Sequence, residues 1–71
     1  MARKYEIYQE LRFEDTGAIK GYNRLTTQRN EQAAIDFVED IENIRKYGDM
    51  IIQVKANGHI GTYSNRKWSW E

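Results

Sequence analysis

The chain has 71 residues, 11 of them basic and 11 acidic, and a net charge of zero. This length gives room for one small domain, residues 1–71, and no more. Cysteine is absent, which excludes disulfides, thiol chemistry and zinc ribbons. An apolar fraction of 39% with 31% charged residues excludes a disordered tail.

Residues 3–13 alternate. Tyr5, Ile7, Leu11 and Phe13 fall on one side, and Lys4, Glu6, Tyr8, Glu10 and Arg12 on the other. That is the pattern of a half-buried strand. Asp15-Thr16-Gly17 reads as a short hairpin loop, with Gly17 taking the positive φ that such turns use. A second strand follows over residues 18–27. Pairing Glu14 with Ala18 sets Phe13 against Ile19, Leu11 against Gly21 and Ile7 against Leu25, apolar against apolar.

Residues 31–47 switch to a helical period, with Ala34, Phe37, Val38, Ile41 and Ile44 in one stripe. Asn30 fits the N-cap, Glu31 the positive end of the helix dipole, and Arg45 and Lys46 the negative end. Gly48 is the stop. Met50, Ile52, Val54 and Ala56 then alternate with Ile51, Gln53 and Lys55 in a third strand. Asn57-Gly58 signals a type I′ hairpin turn. It sets Val54 against Gly61 and Ile52 against Tyr63, with a fourth strand from His59 to about Ser64. Asn65-Arg66-Lys67 either turns or continues before Trp68-Ser69-Trp70.

The expected architecture is α+β in the order ββαββ. It is a single antiparallel sheet of four strands, or five, with one helix packed on one face. The order of the two hairpins in the sheet is not readable.

A catalytic constellation is not expected. The single histidine, His59, follows a turn and reads as exposed. A nucleophilic triad needs a base beside Ser or Cys, and zinc or copper sites want several His or Cys ligands. The adjacent carboxylates Glu14-Asp15 and Glu39-Asp40 read as a solvated turn and a solvated helix face, not as a glycosidase pair. No phosphate-cradling glycine loop is present. The expectation is no catalytic residue, no metal and no cofactor. No apolar run approaches the about 18 residues of a membrane span. Met1-Ala2-Arg3-Lys4-Tyr5 lacks the apolar stretch of a signal peptide, so a cytoplasmic protein is expected.

The zero charge hides an asymmetry. Residues 31–47 carry a net charge of −3 and the rest of the chain +3. The solvent side of the first hairpin collects Tyr8, Arg12, Lys20, Tyr22 and Arg24. Exposed Tyr with Arg is the composition of an interaction hot spot, and also of a base-stacking platform. These five residues are the candidate partner-binding set. Secondary candidates are Ile35 among the helix acids, with Glu39 and Glu42 beside it, and Trp70 near the end of the chain. Trp68 reads as a lid on the core. Zero net charge favours a protein partner over bulk attraction to phosphates. A nucleic-acid binder using Lys4, Arg12, Lys20, Arg24, Lys55, Arg66 and Lys67 is the alternative. An exposed sheet edge allows a homodimer as well as a monomer.

The alternating first strand Lys4-Tyr5-Glu6-Ile7-Tyr8-Gln9, the helix after Thr26, Thr27 and Asn30, the Asn57-Gly58 hairpin, Tyr63 and the late Lys67-Trp68 form a pattern over most of the chain. In this it resembles small phage-encoded anti-defence proteins, anti-CRISPR proteins among them. The resemblance implies a non-enzymatic inhibitor that docks on a bacterial defence complex in the host cytoplasm. The chain departs from the acidic DNA-mimic type, because its acid is confined to the helical segment. No site residue carries over from the family.

Overall fold

The computed structural model describes residues 3–71. In chain order the elements are β1 (Tyr5–Arg12), β2 (Ile19–Gln28), α1 (Glu31–Glu39), α2 (Ile41–Tyr47), β3 (Met50–Ala56), β4 (His59–Ser64) and β5 (Lys67–Trp70). The class is α+β, and the strands form one antiparallel five-stranded sheet in the order β2-β1-β3-β4-β5. The expected ββαββ order with one helix is corrected, because the helical segment is two helices. Of the four strands or five expected, the sheet has five.

The correction has its cause in Asp40. Its φ of −66° and ψ of 124° take it out of the helix and end α1. Its carboxylate then accepts from the Glu42 N–H at 2.9 Å and caps α2. An aspartate competes with the helix for backbone hydrogen bonds, and that competition favours caps over interiors. Asn43 donates to the Phe37 carbonyl at 3.0 Å, so the end of α1 is satisfied. The break redirects the apolar stripe. Ala34 is buried, and Phe37 and Val38 pack partly buried against the core. Ile41, expected to join them, is 64% exposed, and Ile44 is exposed with it. The caps at the two outer ends are as expected. Asn30 Oδ1 accepts from the Ala33 N–H at 2.7 Å, and Gly48 ends α2 at φ 75°.

The fifth strand follows from the turn after β4. Asn65 and Arg66 both hold positive φ, 53° and 64°, and Ser64 pairs with Lys67 across them. That is the backbone of a type I′ turn. It repeats the turn at Asn57 and Gly58, with φ 53° and 78°. An arginine in the left-handed region is strained where glycine is not. Arg66→Gly is therefore expected to stabilise the domain by about 0.5–1 kcal/mol, read as a rise of a few degrees in Tm.

The first hairpin keeps the expected register only in its middle, where Leu11 faces Gly21 and Tyr8 faces Arg24. Slips between Ile7 and Tyr8 and between Leu11 and Arg12 bound that stretch. Ile7 consequently faces Thr26, not Leu25. Leu25 becomes the extra residue of a bulge and packs against the core. The loop is one residue longer than expected. Phe13 donates its N–H to Ala18 at 2.9 Å, and Arg12 rather than Phe13 faces Ile19. Phe13, beyond the last strand pair, is exposed.

The core lies between α1 and the middle of the sheet. Ile7 and Ile52 are fully buried and face each other across β1 and β3. Tyr5, Ala34, Val54 and Tyr63 surround them. Trp68 rests on this cluster as expected, edge-on to Tyr5 with ring centroids 6.4 Å apart. Trp70 stacks on Trp68 at 6.0 Å. Its ring lies over Gly61, where an added Cβ would stand 2.7 Å away. Gly61→Ala should expel the Trp70 ring and cost about 1 kcal/mol, with a red shift of tryptophan emission as the readout.

Candidate functional site

Ile7 lies in the core beneath α1, so strand alternation turns its neighbours Glu6 and Tyr8 to the opposite side of the sheet. Among the described residues that side carries no helix. Tyr8 faces Arg24 on β2 and Ile51 on β3, which places the three in one cross-strand row. Tyr22 meets Tyr8 edge-on, with centroids 6.5 Å apart and planes at 77°. Ile51 is only 8% exposed, although it points away from the core. Tyr8, Tyr22, Ile51, Gln53 and Thr62 line a shallow depression of about 320 Å³. This is a small apolar centre with a polar margin, the usual build of a binding hot spot.

The tyrosines are held differently. Tyr8 donates its hydroxyl to Glu6 Oε2 at 2.8 Å. This hydrogen bond, followed by desolvation and the Glu6 charge, raises the Tyr8 pKa against a weaker opposing pull from Arg24. Tyr8 is thus fixed as a neutral donor. Tyr22 is 52% exposed, with its ring edge against Tyr8. Arg24 reaches Glu6 only at 3.9 Å, and its side chain is largely exposed. An exposed pair at that distance contributes little, so the guanidinium can exchange Glu6 for a partner.

Of the five residues expected to bind a partner, Tyr8, Tyr22 and Arg24 come together. Arg12 and Lys20 do not join them. Arg12 ties the hairpin tip, donating to the Gly17 carbonyl at 2.8 Å and to Glu10 Oε2 at 2.6 Å. Lys20 stands over the Phe13 ring, 5.7 Å from its centroid. The register slip beside it breaks the alternation that would align it with Tyr22. Ile51, Gln53 and Thr62 complete the depression. Their parity was legible, but the adjacency of β1 and β3 was not.

The secondary candidates scatter. Ile35, expected off the apolar stripe, packs partly buried against the core. Glu39 accepts from the Tyr63 hydroxyl at 3.1 Å. Burial, then this hydrogen bond, raises the Tyr63 pKa. Glu42 lies exposed in the first turn of α2. Trp70 is half-exposed, but it is already engaged with Trp68 and Gly61.

A notch of about 420 Å³ opens beside the Asn65-Arg66 turn. It mixes Arg12 and Arg66 with Glu10, Glu39 and Asp49, so it selects no single ligand charge. His59 is exposed, with Nδ1 3.1 Å from the Glu71 carbonyl. Among the described residues no three His, Cys, Asp or Glu side chains are grouped to hold a metal ion. Among them, too, no helix is long and apolar enough to cross a membrane. Comparison with protein-family models, curated proteins and solved structures finds no match to this chain.

Proposed function

We propose that this chain is a non-catalytic binding module that docks on a protein through the open face of its sheet, with Tyr8, Tyr22 and Arg24 as anchors. The observation that supports the reading is the edge-on tyrosine pair beside the little-exposed Ile51, on a face that no helix of the described residues covers. Tyrosines supply large contact area at small entropy cost, and a loosely held arginine beside them adds direction. In its sharper form the module is a phage-type inhibitor acting in the host cytoplasm on a bacterial defence complex. That form rests on the resemblance of the sequence pattern.

A second reading has its own support. Arg24, Lys55 and Lys67 lie on the same side of the sheet as the tyrosines, as strand alternation from the core residues requires. Aromatic rings amid bases suit single-stranded nucleic acid. Zero net charge weighs against it. A tagged pull-down from bacterial lysate, with and without nuclease, separates the two. One dominant protein that survives nuclease and is lost with Tyr8→Ala/Tyr22→Ala supports protein docking. Recovery that vanishes with nuclease or modestly raised salt transfers the function to nucleic acid.

A further inference from the structure

The sheet has two ends, and they differ. β5 is four residues long, and the residue after it, Glu71, exchanges both backbone hydrogen bonds with Ile60, at 2.9 and 3.3 Å. β2 is ten residues long and has a strand neighbour on one side only. Its outer edge presents a row of backbone donors and acceptors that no strand of the described residues pairs, which is a template for one more strand. The bulges flank a regular stretch from Gly21 to Arg24, which keeps one register with β1. This sheet already holds β5 as a four-residue edge strand.

The edge is also charged in one sense. From Ala18 to Asn30 there is no acidic residue, while Lys20, Arg24 and Arg29 are basic. Among the described residues Lys20 lies in no ion pair, and Arg24 makes only the 3.9 Å contact to Glu6. Tyr22 lies between these bases, exposed. A second copy of the segment from Ala18 to Asn30 would bring three more bases and no acid to meet them. Opposite charges on facing strands stabilise the pair, and like charges oppose it.

We propose that the outer edge of β2 accepts an extended, acidic segment of a protein partner as a sixth strand. Carboxylates on that segment meet Lys20, Arg24 and Arg29, and an apolar side chain meets Tyr22. The inference rests on the docking reading above and specifies its partner. The open-face anchors and the edge adjoin at Tyr22 and Arg24, so one partner segment covers both.

The test uses the full chain and a fluorescein-labelled peptide of about ten residues with Glu, Val and Glu at successive positions of one strand face and Thr between them. Anisotropy is read up to about 1 mM protein, the weak end of specific binding. Two further peptides carry N-methyl groups on alternate residues, in complementary sets. Only alternate N–H groups of an added strand face its neighbour, so one set should weaken binding roughly tenfold or more and the other should not. Replacing Glu by Lys in the peptide should weaken binding at least as much. Lys20→Glu/Arg24→Glu should then prefer the Lys peptide. Amide exchange along β2 should slow on binding.

Absence of binding by the Glu peptide overturns the inference, as does equal binding of both methylated sets. Tighter binding of a single-stranded oligonucleotide than of the Glu peptide overturns it as well, in favour of nucleic acid. Self-association that leaves β2 amides protected without peptide assigns the edge to a second copy instead. If the peptides fail while a captured protein still depends on Tyr8 and Tyr22, only the edge assignment falls. If one methylated set discriminates while the captured protein ignores Tyr8 and Tyr22, only the open-face reading falls.

Discussion

Ile52→Ala is expected to lower stability by about 3–4 kcal/mol, the range for emptying a fully buried aliphatic site. Ile52 sits on the central strand, with Ile7 on one side and Tyr63 on the other. Both neighbours belong to the core, so the void has packed strands on two sides and little freedom to collapse. A domain of this size has a stability of order 5 kcal/mol, so most of its margin disappears. Urea denaturation checks the value. The transition should shift to low denaturant, while Ile52→Val should cost only about 0.5–1.5 kcal/mol. A loss below about 1 kcal/mol for the alanine variant would mean that the core is not centred on the β1–β3 pair.

The second large effect concerns binding. Tyr8→Ala with Tyr22→Ala should weaken the partner complex by about 3 kcal/mol or more, over a hundredfold, as truncation of a paired aromatic hot spot does. The fold should survive, because both rings lie on the open face and outside the core cluster. The lost edge-on contact is itself worth only about 0.5–1.5 kcal/mol. Far-ultraviolet dichroism verifies the fold, and titration calorimetry against the captured partner reads the affinity. Tyr22→Thr is the milder variant. It keeps strand propensity and leaves Ile51 under Tyr8, so a binding loss there cannot be ascribed to unfolding. Unchanged affinity in the double variant would remove the tyrosines from the interface.

Local chemistry was legible in the sequence. Asn57-Gly58 dictated its turn, and with it the pairs Val54–Gly61 and Ile52–Tyr63. The caps at Asn30 and Gly48 followed from residue type. Asp40 fits a solvated helix face by its spacing, although its side chain serves equally as a cap. One residue therefore decided whether Ile41 and Ile44 joined the core. The turn at Asn65 and Arg66 lacks the glycine that normally marks it, so the sequence does not decide between four strands and five. The hairpin bulges carry no composition signal, and they moved Lys20 out of the tyrosine row. The candidate site was half legible, because parity gave Tyr8, Tyr22 and Arg24. Its floor, Ile51, needed the pairing of β1 with β3, which no local pattern encodes.

That same pairing bears on how the chain assembles. The β1–β2 hairpin and the β3–β4–β5 meander are each built from neighbours in sequence. Within the sheet they join through one strand pairing of long sequence separation, β1 with β3, where Ile7 meets Ile52. Local hairpins form in microseconds, whereas closing a loop that contains both helices carries a larger entropy penalty. The rate-limiting event is then the meeting of two preformed halves. Until it occurs, β1 and β3 each expose a bare apolar edge, and the chain is at its most vulnerable to aggregation.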